Sequence, residues 1–137
     1  MGKKVVYKVN AEDSTFFVAA INSAEDDYRL AWLLNGCLKI DLARTEHLMP
    51  SSDQTFPVFY YSDEVGGVSY TLVSNKIGAN YLAPQLKNVD YLFKISGTLT
   101  DSIQAEALSK IRLLEEVFAC ILIKTRASPL LNFLSNL

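Results

Sequence analysis

The sequence predicts a single α+β domain over residues 1–137, with a mainly antiparallel sheet of five or six strands. It also predicts two main helices packed on one face of the sheet and a short C-terminal helix. Three observations lead to this fold class. Short apolar or alternating runs recur along the chain, two segments near 23–39 and 100–114 show helical spacing, and Gly66-Gly67 joins two alternating runs as a hairpin.

The first strands and the first helix follow from local patterns. Alternation of Val5, Tyr7 and Val9 allows an edge strand, and the apolar run 16–21 suits a strand covered on both faces. Ser23, with an acidic residue three positions later, approximates a capping box and predicts a helix that begins there. The buried face of this helix is predicted to hold Leu30, Leu33, Leu34 and Cys37.

The outer stripe of this helix contains Arg29, Trp32, Gly36 and Lys39. Trp32 lies at a boundary, where it fits either the rim of the core or the anchor of an interface. The segment 40–44 fits a short strand or a frayed helix end. Residues 46–54 are predicted to be a loop because they contain Pro50 and a serine pair.

The second half predicts a hairpin, a strand, a helix and a further strand. The hairpin joins 57–62 to 68–75, and the next strand covers 89–96. Thr100 is the predicted cap of the second helix. The run 117–123 is apolar throughout and predicts an interior strand. Ser128-Pro129 predicts the start of a short apolar helix at the C-terminus.

Composition narrows the function classes. A net charge of −2 and the absence of charged blocks disfavour a broad nucleic-acid-binding face. Tyr60, Tyr61 and Tyr70 leave RNA stacking as a weaker alternative, although the basic-aromatic motif of such domains is missing. No cofactor and no metal site are predicted, because Cys37 and Cys120 lie in separate apolar runs and the chain has one histidine. With no signal peptide and no run long enough to span a bilayer, we expect a cytoplasmic protein without a membrane partner.

No catalytic residue is predicted. Gly66-Gly67 is not followed by a helix, so it is a turn and not a phosphate-binding loop. Glu46 and His47 are neighbours in the sequence, and adjacent side chains seldom point at each other. These patterns therefore favour a non-catalytic protein over an enzyme.

Asp90-Tyr91, at the start of a predicted strand, is the most informative polar pair. A carboxylate beside apolar residues needs a partner if it is buried, and Arg29 and Arg44 are candidates. One interpretation is an ion pair or a turn cap that fixes the loop to the sheet; the other is a functional site.

The chain resembles the family of uncharacterised bacterial proteins named for its motif IPExxxVDY. The motif corresponds here to Ala83-Pro84-Gln85-Leu86-Lys87-Asn88-Val89-Asp90-Tyr91, and supporting matches are 28–35 and 73–76. Two positions depart from the motif, since Ala83 replaces isoleucine and Gln85 replaces glutamate. An amide does not titrate, so Gln85 could not act as a catalytic acid or base. The resemblance implies which positions of this chain correspond to the family's motif, and it implies no particular reaction.

Two function hypotheses remain open. The first is a non-catalytic binding domain that forms a homodimer or binds another protein, with candidate interface residues Trp32, Leu130, Phe133 and Leu134. The second is a small-ligand binder or enzyme whose polar pocket is formed at one edge of the sheet. Its candidate cluster, functional or architectural, comprises Tyr28, Arg29, Asn35, Asn75, Pro84, Gln85, Asp90 and Tyr91.

Overall fold

The computed structural model describes residues 15–48, 55–78 and 80–123. The predicted strand at 5–9 and the predicted C-terminal helix, with Leu130, Phe133 and Leu134, lie outside these residues. The elements in chain order are β1 Thr15–Ser23, α1 Asp27–Leu38, β2 Ala43–Leu48, β3 Thr55–Asp63, β4 Val68–Ser74, β5 Lys76–Ile77, β6 Asn80–Tyr81, a 3-10 turn Pro84–Leu86, β7 Tyr91–Gly97, α2 Asp101–Arg112 and β8 Val117–Ile123.

Within the described residues, six strands form one sheet in the order β2-β3-β4-β7-β1-β8, and every neighbouring pair is antiparallel. The short strands β5 and β6 pair separately. Ala19 of β1, Phe93 of β7 and Leu72 of β4 lie side by side across the centre of the sheet. The predicted α+β class, with an antiparallel sheet and two helices, is confirmed.

The two faces of the sheet carry separate apolar clusters. Ile21 belongs to a cluster that also contains Leu34 of α1 and Ile111 of α2. Val18 belongs to a second cluster with Ala83, which precedes the 3-10 turn. Strand residues alternate between the faces, so both faces of β1 are buried, as its continuous apolar run predicts. No helix in the described part of the chain is long and apolar enough to cross a membrane.

The turn between β3 and β4 depends on glycine. The side chain of Asp63 accepts a hydrogen bond from the backbone N–H of Gly66 at 3.0 Å. Gly67 has a φ of 70°, and its carbonyl lies against Gly97, whose φ is 123°. A Cβ at Gly97 would collide with that carbonyl. The turn residue Gly67 therefore packs directly against Gly97 at the end of β7, an approach that a side chain at Gly97 would block.

The structure corrects the predicted start of α1 and confirms the predicted start of α2. Helix α1 begins at Asp27 and not at Ser23, because Asp26 is its cap and accepts the N–H of Arg29 at 2.8 Å. Ser23 instead ends β1. Helix α2 begins as predicted, with Thr100 accepting the N–H of Ile103 at 3.1 Å.

Three strand predictions also need correction. Residues 43–48 form strand β2, although 46–54 were expected to be a loop; pairing with β3 provides its backbone hydrogen bonds. Strand β7 begins at Tyr91, two residues after the predicted start at 89. Among the described strands β8 pairs with β1 alone, and its Phe118 and Ile121 side chains are exposed, so it is not covered on both faces as an interior strand would be. An apolar sequence alone does not distinguish a central strand from an edge strand.

Candidate functional site

Asn75 follows β4 and organises the loop that leads to β7. Its side chain is fully buried and donates hydrogen bonds to the carbonyls of Leu86 at 2.8 Å and Val89 at 3.0 Å. Its amide oxygen accepts the N–H of Ala83 at 2.8 Å. The backbone N–H of Asn75 also donates to the carbonyl of Asp90 at 2.9 Å. Every polar group of this side chain is therefore engaged with the loop, so its role is architectural.

Asp90 connects that loop to the end of β1. Its carboxylate accepts the backbone N–H of Ser23 at 3.0 Å, and its own N–H donates to the side chain of Asn22 at 2.9 Å. The expected ion pair with Arg29 or Arg44 is not formed. The carboxylate instead caps the last backbone N–H of a strand, which corresponds to the turn-cap interpretation.

Tyr91 is buried, and its hydroxyl donates a hydrogen bond to the carbonyl of Glu25 at 2.7 Å. Burial, followed by the carboxylates of Asp27, Asp26, Asp90 and Glu25, raises the pKa of Tyr91 to about 12. The phenol is thus held neutral at physiological pH and is unsuited to act as a general base. It links the start of β7 to the turn before α1.

Pro84, Gln85 and Asn35 also occupy structural positions. Pro84 and Gln85 lie in the 3-10 turn, with proline at its start. Ala83 before them is fully buried in the cluster that contains Val18, which accounts for a small apolar residue there. Asn35 accepts the N–H of Leu42 at 2.7 Å and so fixes the connection between α1 and β2.

Tyr28 and Arg29 lie on the exposed side of α1. The Tyr28 ring meets the Phe59 ring edge-on at 5.4 Å. The Arg29 guanidinium lies 4.8 Å from the centre of the Trp32 ring and within 4 Å of two carboxylates, those of Glu25 at 3.9 Å and Glu116 at 3.8 Å. The predicted polar cluster therefore divides among several places, and Asp90 and Tyr91 are its members that line a common cleft of the described residues.

That cleft, which we call the Asp90 cleft, has a volume of about 310 Å³. It is polar and lies where β1, β4 and β7 meet. Its lining residues are Ser23, Ser74, Lys76, Tyr81, Lys87, Val89, Asp90 and Tyr91. Ser74, Lys76 and Lys87 lie in the stretches that carry the family resemblance, but sequence reasoning did not single them out or bring them together with Ser23.

A second cavity lies on the outer side of α1. We call it the Trp32 surface, and its volume is about 480 Å³. Trp32 is 63% exposed, and Leu113 beside Leu114 is 83% exposed. A Cβ at Gly36 would meet nothing within 4 Å, so the helix backbone is open there. The lining residues are Trp32, Leu33, Asn35, Gly36, Cys37 and Leu114.

The two cysteine thiols are poorly suited to act as nucleophiles. Burial raises the pKa of the Cys37 thiol and of the Cys120 thiol, which disfavours the reactive thiolate. In the described ranges, no three His, Cys, Asp or Glu residues lie close enough to hold a metal ion. Glu46 is engaged with Arg44 at 2.9 Å and with the Thr55 hydroxyl at 2.9 Å.

The tyrosines that suggested RNA stacking are largely engaged with each other. Tyr61 stacks on Tyr70 at 6.1 Å between ring centres, and Tyr70 stacks on Phe93 at 6.2 Å. Tyr60 is partly exposed, and its hydroxyl is 3.4 Å from that of Ser69. Three parallel, open rings for base stacking are therefore not presented by this hairpin.

No protein-family model matches the chain, and no curated protein matches it.

Proposed function

We propose that this chain is a non-catalytic binding domain that recognises a protein partner through the Trp32 surface. The observation that supports this most is the exposure of Trp32 above an apolar cavity. Tryptophan and arginine are the side chains most often found at the energetic centre of protein interfaces. Here the Arg29 guanidinium lies over the Trp32 ring at 4.8 Å, which is a cation–π contact.

The geometry indicates the kind of segment that would bind. Gly36 leaves the backbone of α1 accessible, so an aliphatic or aromatic side chain of the partner can approach closely. The two carboxylates near Arg29 lie at 3.8 and 3.9 Å, which are long ion-pair distances. An acidic residue beside the apolar anchor of the partner could therefore bind this guanidinium more closely. We infer an amphipathic segment with a large apolar anchor and an adjacent carboxylate.

The test compares the wild-type chain with Trp32→Ala and with the control Val65→Ala, which alters a fully exposed apolar residue on the hairpin turn. Proteins retained from lysate of the native cells are identified, purified and titrated by calorimetry. We expect Trp32→Ala to weaken binding of the specific partner by about 30-fold, the effect of losing about 2 kcal/mol. Val65→Ala should bind as the wild type does. Equal binding by wild type and Trp32→Ala, or retention of no specific partner, would contradict the proposal.

A second candidate is binding of a small anion in the Asp90 cleft. Lys76 and Lys87 line this cleft together with the carboxylate of Asp90, so a small acid that also carries a hydroxyl or amino group would be complementary to it. We propose this cleft in place of the polar pocket that the sequence predicted for a small-ligand binder. Of the residues predicted for that pocket, Asp90 and Tyr91 line the cleft. This proposal does not require an enzymatic step.

Inorganic phosphate and citrate are suitable probes for this candidate. In a titration followed by amide NMR, we expect the signals of Lys87 and Asp90 to shift. The Lys76→Gln/Lys87→Gln variant should lose that shift. Unchanged signals at millimolar probe concentration would eliminate the Asp90 cleft as an anion site.

A further inference from the structure

A further cavity lies between the β3–β4 hairpin and α2, on the face of the sheet that carries the helices. We call it the Asp63 pocket, and its volume is about 290 Å³. Small-molecule sites in proteins have volumes of about 300–1,000 Å³, and an apolar cavity of about 150 Å³ is enough to hold benzene. The Asp63 pocket therefore has room for one aromatic ring with a short chain.

The floor of this pocket is apolar. Val68 of β4, Ile95 of β7 and Ala107 of α2 line it, and all three are buried. Leu38 at the end of α1 and Ile103 in the first turn of α2 line it as well. A ligand that lies on these side chains removes apolar surface from water, which favours binding of a hydrocarbon group.

The carboxylate of Asp63, at the end of β3, provides an available acceptor. Its Oδ1 accepts the backbone N–H of Gly66 at 3.0 Å. A Cβ at Gly66 would lie 2.6 Å from Oδ2, so glycine leaves room for that oxygen. Within the described part of the chain, Oδ2 accepts no hydrogen bond and Asp63 forms no ion pair. One carboxylate oxygen is therefore available to a ligand.

Tyr70 provides a second polar group close to this carboxylate. Asp63 lies opposite Val68 in the hairpin, and Tyr70 follows two residues later on the same face of β4. Diagonal neighbours of this kind are about 7–8 Å apart, so one ligand group can reach both side chains. The Tyr70 ring stacks with the rings of Tyr61 and Phe93. Among the described residues, its hydroxyl has no hydrogen-bond partner.

The Tyr70 hydroxyl is neutral and is influenced by the neighbouring charges. Burial, followed by the Asp63 carboxylate and then by Tyr61, raises the pKa of Tyr70, and Lys110 has a smaller opposite effect. The phenol therefore keeps its proton at physiological pH. Its oxygen can accept a hydrogen bond from a cationic group that Asp63 binds.

The charges at the pocket favour a cation over an anion. Asp63 and Glu106 are the acidic residues among those that line it, and Lys110 is the basic one. Glu106 and Lys110 pair with each other at 2.8 Å on successive turns of α2. Asp63 therefore carries the charge that is not balanced, and it attracts an ammonium group.

We propose that the Asp63 pocket binds a small primary amine with an apolar body. The ammonium group donates one hydrogen bond to Oδ2 of Asp63 and one to the Tyr70 hydroxyl, and it keeps its third donor for water. The apolar body lies on Val68 and Ile95. A quaternary ammonium compound of the same size binds more weakly, because it has no N–H to donate.

Calorimetric titration with phenylethylamine tests the site, and phenylpropionate is the probe of similar shape and opposite charge. We expect the wild type to bind the amine with a millimolar or lower Kd and not to bind the acid. Asp63→Asn keeps an oxygen for the N–H of Gly66 but removes the charge, so it should weaken binding at least about tenfold. The control Glu64→Gln removes a negative charge from the adjacent exposed residue and should bind as the wild type does.

Tyr70→Phe tests the second contact and keeps the stacked ring, so it serves even if Asp63→Asn disturbs the turn. We expect it to weaken binding of phenylethylamine about fivefold. In amide NMR spectra of the wild type, the amine should shift the signals of Val68 and Ala107 and leave those of Trp32 and Asp90 unchanged.

Three results would overturn the proposal. They are no binding of phenylethylamine at tens of millimolar concentration, equal affinity for phenylpropionate, and an affinity that both Asp63→Asn and Tyr70→Phe leave unchanged. Shifts that are confined to Trp32 or Asp90 would overturn it as well, because they would place the amine elsewhere. Partner binding through the Trp32 surface can fail or succeed independently of this result.

Discussion

The loop-to-strand junction formed by Asn75, Asp90 and Tyr91 and the Trp32 surface use their side chains in opposite ways. At the junction, the polar side chains bind the chain's own backbone: Asn75 makes three such hydrogen bonds, and Asp90 and Tyr91 make one each. At the Trp32 surface, apolar groups face solvent beside an open helix backbone. The most motif-like polar residues of this chain therefore make hydrogen bonds within the fold, whereas the residues that we propose for binding are exposed and largely apolar.

We expect the largest effect from replacing Asn75, whose side chain makes three hydrogen bonds to the loop. In Asn75→Ala, the carbonyl of Val89 and the N–H of Ala83 lose the Asn75 side chain as their partner, and the carbonyl of Leu86 keeps the N–H of Val89. Each buried group left without a partner costs about 1–3 kcal/mol. We expect the free energy of unfolding to fall by about 3 kcal/mol or more in urea denaturation.

Asn88→Ala is the matched control, because Asn88 lies exposed in the same loop. Its free energy of unfolding should change by no more than about 0.5 kcal/mol. If the two variants were equally stable, Asn75 would not organise the loop, and the architectural interpretation of the junction would fail.

Tyr91→Phe removes one hydroxyl from the junction and should have a smaller effect. The lost hydrogen bond to Glu25 has a length of 2.7 Å, and we expect a decrease of about 1–1.5 kcal/mol in the free energy of unfolding. Tyr60→Phe is the control, since the Tyr60 hydroxyl is exposed and makes only a long contact. A Tyr91→Phe variant as stable as its control would show that the link to α1 does not contribute.

The raised pKa of Tyr91 predicts a dependence of stability on pH. The folded chain holds this proton up to a pKa of about 12, whereas an unfolded tyrosine loses it near pH 10. The folded state therefore binds more protons between these values, and its stabilisation, fully present below pH 10, is lost as pH rises towards 12. Absorbance of tyrosinate should show one late titration step that is missing in Tyr91→Phe. A step near pH 10 for Tyr91 would contradict the buried phenol.

Gly36→Ala tests the other region, the open backbone of α1 at the Trp32 surface. The added methyl group meets no atom within 4 Å, and alanine is favoured over glycine inside a helix by about 0.5–1 kcal/mol. We expect the variant to unfold at a higher urea concentration and to bind the partner of the Trp32 surface more weakly, because the methyl group fills the open backbone. Tighter binding together with higher stability would argue against close approach at Gly36.

The fold was predictable where local pattern and tertiary environment agree. The apolar run at 16–21 predicted a strand buried on both faces, and Thr100 predicted the cap of α2. Strand β2 escaped prediction because its sequence, with Arg44, Glu46 and His47, lacks apolar alternation; only pairing with β3 reveals it. Whether β8 lies inside the sheet or at its edge depends on strand order, which local sequence does not encode.

The candidate site was predictable only in part. Asp90 and Tyr91 were recognised as important, but their partners are backbone groups of Ser23 and Glu25, far away in sequence. Backbone groups carry no sequence signature, so residue types left an ion pair with Arg29 or Arg44 and a turn cap both open, and they could not identify Ser23 as the partner of Asp90. For Trp32 the sequence left the rim of the core and the anchor of an interface both open, and the structure shows a side chain that is mostly exposed.

The most direct test of this account is the free energy of unfolding of Trp32→Ala, measured by circular dichroism in urea because the variant lacks the chain's one tryptophan. If Trp32 serves recognition and not the core, the value should lie within about 0.5 kcal/mol of wild type. A loss of about 3 kcal/mol, the range expected for a buried aromatic side chain, would show that Trp32 belongs to the core and would contradict the proposed binding surface.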